Sequence, residues 1–167
     1  MLITTSRKPS QKTRSFGRAL ERVLPAHYIN RGKMSLREVY MKAKQLGFNK
    51  VMVISERNGN PSRLDFYKGG DEAEIYLLIG TDLSPPLGKV DTGDLGIQCE
   101  LSSLAAILRP VLEMTVKEAP NSNLIWIKKI KNERTVMEFY DNKGTLTRPR
   151  IYLRDWKGVA YGNSKGS

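Results

Sequence analysis

The stretch KVMVISERNGNPSRLDFY, residues 50–67, recurs without gaps as NLIWIKKIKNERTVMEFY, residues 123–140. In this alignment the apolar run at 51–54 falls on the apolar run at 124–127. A short, wholly apolar run is typical of a strand that is covered on both faces. Asn58-Gly59 is typical of a tight hairpin, which predicts two antiparallel strands in the first copy. The alignment extends this prediction to the second copy.

Each copy is also predicted to have a third strand and a preceding helix. We expect residues 75–77 to correspond to 151–153 as the last strand of each meander. Residues 101–112 have a helical period, although Pro110 is expected to kink or divide that helix because it lacks an N–H group. A helix is also predicted before the first copy, because apolar residues recur there with the same period, at Phe16, Ala19, Leu20, Val23 and Leu24.

These patterns predict an α/β fold made of duplicated helix-plus-β-meander halves. The two repeats are expected at residues 1–80 and 95–157 of one domain (1–157), with residues 158–167 as a flexible tail. Chance similarity between two antiparallel meanders is the alternative to duplication. A duplicated module would present a long surface, suited to an extended ligand, and no deep cleft.

Composition excludes several classes of protein. The 167 residues are 40% hydrophobic, which favours a folded chain over a disordered one. No apolar run approaches the roughly 18 residues of a membrane span. With one Cys and one His there is no thiolate and imidazole cluster for a metal, and no cofactor is predicted. Because no intrachain disulfide can form, we expect a cytoplasmic protein.

Positive charge is concentrated at both ends of the chain. Residues 1–50 carry 12 basic and 2 acidic side chains, and residues 128–167 carry 10 and 4, whereas residues 51–127 carry 6 and 11. This polarity favours a polyanionic partner, most often a nucleic acid. An anionic membrane surface and a basic protein without such a partner are the alternatives.

Cations and hydroxyl groups gather before the first predicted helix, at Ser6, Arg7, Lys8 and Ser10. Free N–H groups and the helix dipole favour a phosphate at such a position. Ordinary N-capping by one of the hydroxyl groups is the alternative, and it is compatible with phosphate binding by the others.

Arginines follow at intervals of four residues along the first helix, at positions 14, 18 and 22. Arg14 and Arg18 of this row are predicted to bind nucleic-acid phosphates, with a solvated helix face as the alternative. A turn with two cations around a glycine follows at residues 30–33, and further cations lie on the last strand. Alternation along a strand sends neighbouring side chains to opposite faces, so not all of these cations can share one surface. The candidate RNA-binding residues are Ser6, Arg7, Lys8, Lys12, Arg14, Arg18, Asn30, Arg31, Lys33, Arg148 and Arg150.

Aromatic side chains are a second kind of candidate, because they could stack on unpaired bases. Most of them are predicted to lie in the core instead. The set consists of Tyr28, Tyr40, Phe66, Tyr67, Trp126, Phe139, Tyr140 and Trp156.

The sequence has no recognisable catalytic constellation, and we predict that the protein is not an enzyme. No phosphate-binding loop is present. Asp82, Asp91 and Asp94 could hold a cation for a metal-dependent RNA-processing nuclease, which is one alternative. A second alternative is a protein-interaction module whose acidic middle segment docks on a basic protein.

The segment LITTSRKPSQKTRSF at residues 2–16, with Asn30-Arg31-Gly32-Lys33 and Asn58-Gly59-Asn60-Pro61, resembles the Brix-domain proteins. The order and spacing are similar to an archaeal single-domain member, and the resemblance covers residues 1–156. The stretch at residues 148–153 is similar to the closing strand of that family.

The resemblance implies an RNA-binding protein of ribosome biogenesis. Such a protein binds ribosomal RNA precursor and assists rRNA processing and subunit assembly, with ribosomal proteins or other assembly factors as further partners. The resemblance also implies a fold similar to the anticodon-binding domain of class II aminoacyl-tRNA synthetases. It implies no cofactor, small-molecule substrate, membrane or catalytic residue. Carried over to this chain, it assigns RNA contacts to Ser6, Arg7, Lys8, Arg14, Asn30, Arg31 and Lys33.

Overall fold

The computed structural model describes residues 1–69, 72–117 and 123–158, which form one mixed sheet of ten strands and three α-helices. The helices are α1 (Gln11–Val23), α2 (Leu36–Gln45) and α3 (Ser102–Leu112). The strands are β1 (Leu2–Thr5), β2 (His27–Tyr28), β3 (Val51–Arg57), β4 (Asn60–Tyr67), β5 (Ile75–Asp82), β6 (Gly96–Cys99), β7 (Thr115–Val116), β8 (Leu124–Lys129), β9 (Thr135–Tyr140) and β10 (Leu146–Gly158).

The strand order is β2-β1-β3-β4-β5-β10-β9-β8-β6-β7, so each half runs in the same order from its outer edge to the centre. β5 and β10 pair antiparallel and join the halves. Val51 pairs with Tyr67 in the first half, and Leu124 pairs with Tyr140 in the second. These two registers have the same offset as the gapless sequence alignment.

The third strands of the two halves correspond differently from the prediction. Leu64 pairs with Leu77, and its counterpart Met137 pairs with Ile151. Leu77 therefore corresponds to Ile151, which is two residues from the predicted partner, Leu153. Side chains alternate with a period of two along a strand, so a shift of two residues leaves the hydrophobic pattern unchanged and the sequence does not reveal it.

The helices cover the two faces of the sheet unequally. α1 and α3 pack on one face, where Ile3, Phe16 and Phe139 belong to the main core and are completely buried. α2 packs on the opposite face, where Val39 contacts a smaller cluster that includes Val51 and Val53. No helix in the described ranges is long and apolar enough to cross a membrane.

Helix ends follow the sequence signals, with one exception at Pro110. Ser35 followed three residues later by Glu38 is the sequence signature of a capping box, and the two side chains form that box at the start of α2. α3 continues through Pro110 to Leu112 and is not divided, because a proline in the last turn removes only one backbone hydrogen bond. The Lys50 ammonium donates to the Pro110 carbonyl at 2.8 Å and pairs with Glu113 at 2.8 Å, which places a cation at the negative end of the helix dipole.

Candidate nucleic-acid interface

The segments that follow β1 and β2 emerge at the same edge of the sheet. β1 pairs in parallel with β2, with Ile3 opposite Tyr28, and it also pairs in parallel with β3. Because parallel strands end at a common edge, residues 6–8 and 30–33 lie beside each other. We call Ser6, Arg7, Lys8, Asn30, Arg31 and Lys33 the strand-end cluster.

Two guanidinium groups meet inside the strand-end cluster. Arg31 donates from Nη1 to the Thr5 carbonyl at 2.9 Å and from Nε to the Met34 carbonyl at 2.7 Å. Arg7 donates to the same Met34 carbonyl at 3.5 Å. Burial lowers the pKa of Arg31, and the nearby positive charge of Arg7 lowers it further, although an arginine stays charged at neutral pH. Within the described part of the chain neither guanidinium group has a carboxylate partner, so an external anion would relieve their repulsion.

Two lysines of the strand-end cluster point into solvent. Lys8 is exposed and has a φ of 55°, in the left-handed region where the chain turns from β1 towards α1. Lys33 is exposed and follows Gly32, whose φ of 55° suits a residue without a side chain. The edge therefore presents four cations on two neighbouring turns.

The arginine row of α1 begins next to the strand-end cluster. Tyr28 lies under the helix and donates from its hydroxyl group to Asn30 Oδ1 at 3.3 Å. The Arg18 guanidinium lies 5.9 Å from the centre of the Tyr28 ring. Burial raises the pKa of Tyr28, and the nearby charges of Arg18 and Arg14 oppose this shift. Tyr28 therefore connects the row to Asn30.

The far end of the row meets the second half of the sheet. Arg18, Arg22 and Arg148 line one cleft of about 170 Å³. Arg148 lies 3.5 Å from the Asp82 carboxylate, yet its Nε and Nη1 are buried without a hydrogen-bond partner. Arg22 and Arg148 also line the neighbouring cleft with Lys89. We call Arg14, Arg18, Arg22 and Arg148 the helix row.

The start of α1 is capped by the chain itself. The Ser10 side chain accepts a hydrogen bond from the Thr13 N–H, and the Glu56 carboxylate accepts bonds from the Ser10 N–H and the Thr13 hydroxyl. These hydrogen bonds hold the pKa of Glu56 below its usual range, and the bond from the Thr13 hydroxyl group has the largest effect. The N-capping alternative therefore holds, and Glu56 supplies the anion that the free N–H groups were expected to attract.

Two candidate residues lie away from this surface. Lys12 donates to Asn60 Oδ1 at 2.7 Å, on the flank of α1 that faces the β3–β4 hairpin. Arg150 lies 3.2 Å from Glu138, on the opposite face of the sheet from α1. Regular alternation would place Arg148 and Arg150, two residues apart, on the same face. The register of β10 against β9 shifts between Thr147 and Ile151, and the two arginines have different neighbours, with Arg148 beside α1 and Arg150 beside Glu138.

The three loop carboxylates have separate partners. Asp82 accepts bonds from the backbone and the hydroxyl group of Ser84, which lower its pKa. Asp91 caps a 3₁₀ turn through Gly93, and Asp94 pairs with Lys117 at 2.6 Å. Among the residues that the structure describes, no three His, Cys, Asp or Glu side chains are grouped to hold a metal ion.

Arg22 and Lys89 are residues of this surface that the candidate set omitted. Arg22 could have been included from the sequence, because it continues the four-residue spacing of Arg14 and Arg18. Lys89 had no local signal. It reaches the cleft because the 82–96 loop folds back along α1.

Comparison with known proteins places this fold in a family. No family model matches the chain. A protein of Methanothermobacter thermautotrophicus is 36% identical over 162 residues, which are 94% of this chain and 98% of that protein, and it is named a probable Brix domain-containing ribosomal biogenesis protein. The crystal structure of Mil, an archaeal Imp4-like protein, superposes with a TM-score of 0.78 at 35% identity, over 95% of this chain and 100% of that one.

A second solved structure, a probable ribosomal biogenesis protein from Aeropyrum pernix K1, has a TM-score of 0.73 over 95% of this chain and 96% of that one. It is 22% identical and shares the fold. The architecture is thus that of the archaeal Imp4-like proteins. The chain belongs to the family of Brix domain-containing ribosomal biogenesis proteins, which confirms the resemblance in its sequence. The similarity to a synthetase anticodon-binding domain stays a prediction.

Proposed function

We propose that the protein is a non-catalytic ribosome-biogenesis factor of the cytoplasm that binds ribosomal RNA precursor and assists rRNA processing and subunit assembly. The names of its relatives supply the ribosomal context. The observation that supports RNA binding is that Arg7 and Arg31 both donate to the Met34 carbonyl, beside two exposed lysines.

The proposed interface consists of the strand-end cluster and the helix row. The contact between Tyr28 and Asn30 connects them, so the cations form one track from the sheet edge along α1 to Arg148. A sugar-phosphate chain carries regularly spaced negative charges, and binding along such a track releases its counterions. Phosphate contacts of this kind position an RNA without reading its sequence. Ribosomal proteins or other assembly factors are further proposed partners.

The RNA that the protein binds in cells tests this proposal. Ultraviolet crosslinking in the native organism, followed by sequencing of the attached fragments, is expected to enrich segments of ribosomal RNA that span precursor boundaries. The Arg7→Glu/Lys8→Glu variant should lose this enrichment. Lys42→Glu/Lys44→Glu is a matched control, because both lysines are exposed on the last turn of α2, away from the strand-end cluster.

The crosslinking experiment also has a result that contradicts the proposal. If the fragments follow the cellular abundance of each RNA, in the native protein and in both variants alike, then precursor binding is not its function.

A further inference from the structure

The second half of the sheet has a face on which no described helix packs. In the strand register Trp126 lies opposite Glu138, Lys128 lies opposite Val136, and Val136 lies opposite Tyr152. Residues that lie opposite each other point to the same side of the sheet, so these side chains share one face. Their neighbours Ile127, Met137 and Ile151 point to the opposite side, into the core under α1 and α3. Of the three helices in the described ranges, only α2 lies on the Trp126 side, and it packs over the first half.

The corresponding face of the first half shows what a helix needs there. By strand register, Val53 corresponds to Trp126 and Ser55 corresponds to Lys128. Val53 belongs to the apolar cluster that α2 covers. The second half offers an indole ring and an ammonium group at these positions, which disfavours an apolar helix as the occupant.

Cations lie against the half-buried rings of this face. The Lys128 ammonium is 4.1 Å from the centre of the Trp126 ring, and Trp126 lies 5.9 Å from the Tyr140 ring. Arg134 and Arg150 lie 4.6 Å and 5.4 Å from the Tyr152 ring. Flat rings and flat guanidinium groups are the surfaces on which nucleobases stack.

The charge of this face is positive and is only partly balanced. Lys128 and Arg150 share one carboxylate, Glu138, at 3.1 Å and 3.2 Å. Burial would lower the pKa of Lys128, but its contacts with Glu138 and Tyr140 outweigh burial and raise it, so the lysine stays charged. Arg150 Nε is buried and has no partner with hydrogen-bond geometry. A second carboxylate, that of Glu100, accepts a hydrogen bond from Trp126 Nε1 at 3.3 Å. With Arg134 counted, three cations face these two carboxylates, and the excess positive charge complements an anion.

We propose that this aromatic face, formed by Trp126, Lys128, Arg134, Tyr140, Arg150 and Tyr152, binds unpaired bases of a single-stranded RNA segment. The inference rests on the proposed function and adds a second contact surface, on the opposite side of the sheet from the helix row. Bases stack on the rings and guanidinium groups, and the cations contact the flanking phosphates. Paired bases in a duplex do not expose their faces, so the site selects unpaired RNA.

Tryptophan fluorescence tests the site directly. The chain has two tryptophans, so Trp156→Phe leaves Trp126 as the sole reporter. Titration of this variant with single-stranded oligouridylate is expected to quench the Trp126 emission in a saturable manner. In the native background, Trp126→Ala and Tyr152→Ala should each weaken oligouridylate binding about tenfold or more. Affinity for an RNA duplex should stay within about twofold, because the duplex offers no free base faces.

The outcomes separate this proposal from the proposed function. If oligouridylate binds with a salt-dependent affinity but leaves Trp126 emission and the affinities of both alanine variants unchanged, the aromatic face is not a base-binding site, and the strand-end cluster remains the RNA interface. A face that is reserved for a protein partner would give this result. If the folded protein binds neither oligouridylate nor structured RNA, both proposals are wrong. The fluorescence measurement needs only the aromatic replacement Trp156→Phe, so it stands even where an alanine variant unfolds.

Discussion

The triple variant Arg7→Glu/Lys8→Glu/Arg14→Glu is expected to bind ribosomal RNA at least about 100-fold more weakly than the native protein, because it replaces three phosphate contacts with three repulsive charges. Arg7 and Lys8 are exposed and Arg14 is half-buried, so the fold should tolerate the change. Fluorescence anisotropy of a labelled rRNA fragment measures the affinity, and thermal unfolding by circular dichroism checks the fold.

A charge-matched control separates a local interface from net charge. Lys42→Glu/Lys44→Glu/Lys131→Glu alters the net charge by the same amount at three exposed positions outside the strand-end cluster and the helix row. This control is expected to lose about tenfold or less, through the weaker long-range attraction alone. An equal loss of affinity in both triple variants would show that the overall charge, and not the proposed interface, holds the RNA.

Gly17→Val is expected to lower the free energy of unfolding by about 3 kcal/mol, because α1 packs too closely on Tyr28 for any side chain at position 17. A Cβ atom there would lie 2.4 Å and 2.5 Å from two carbon atoms of the Tyr28 ring. The ring must move, and the hydroxyl contact to Asn30 moves with it. RNA affinity should therefore fall together with stability.

Urea denaturation measures this effect, with Ser15→Val as the control. Ser15 is exposed on the same helix, and its replacement should change the free energy of unfolding by less than about 0.5 kcal/mol. Equal stabilities of the two valine variants would mean that α1 does not approach Tyr28 as closely as the structure has it.

Local signals explain why much of the fold could be predicted. The apolar period of α1, the capping box of α2 and the Asn58-Gly59 hairpin each act within a few residues, and all three appear where the sequence places them. The repeat alignment gives the register of the first two strands of each meander. The alignment does not give the register of the third strand, because the loop lengths differ and the hydrophobic pattern repeats every two residues.

The candidate interface was less predictable, because its geometry depends on contacts between distant segments. Glu56 reaches the start of α1 from a hairpin 46 residues away and occupies the position that was expected to attract a phosphate. Arg31 and Arg7 meet only because β1 and β2 are parallel neighbours. Alternation predicts one shared face for Arg148 and Arg150, and the register shift between Thr147 and Ile151 that accompanies their different neighbours has no local signal in the sequence. Alternation also does not tell which face of the second half lacks a covering helix.

The central claim is that the strand-end cluster and the helix row contact RNA phosphates directly, and the salt dependence of binding tests it most directly. For single-stranded RNA the logarithm of the affinity falls by about 0.7 per contacted phosphate for each tenfold increase in salt, so six contacts give a slope of about −4. We expect this slope for the native protein, and a slope about 2 smaller in magnitude for Arg7→Glu/Lys8→Glu/Arg14→Glu. A native slope near zero, or the same slope in both proteins, would contradict the account.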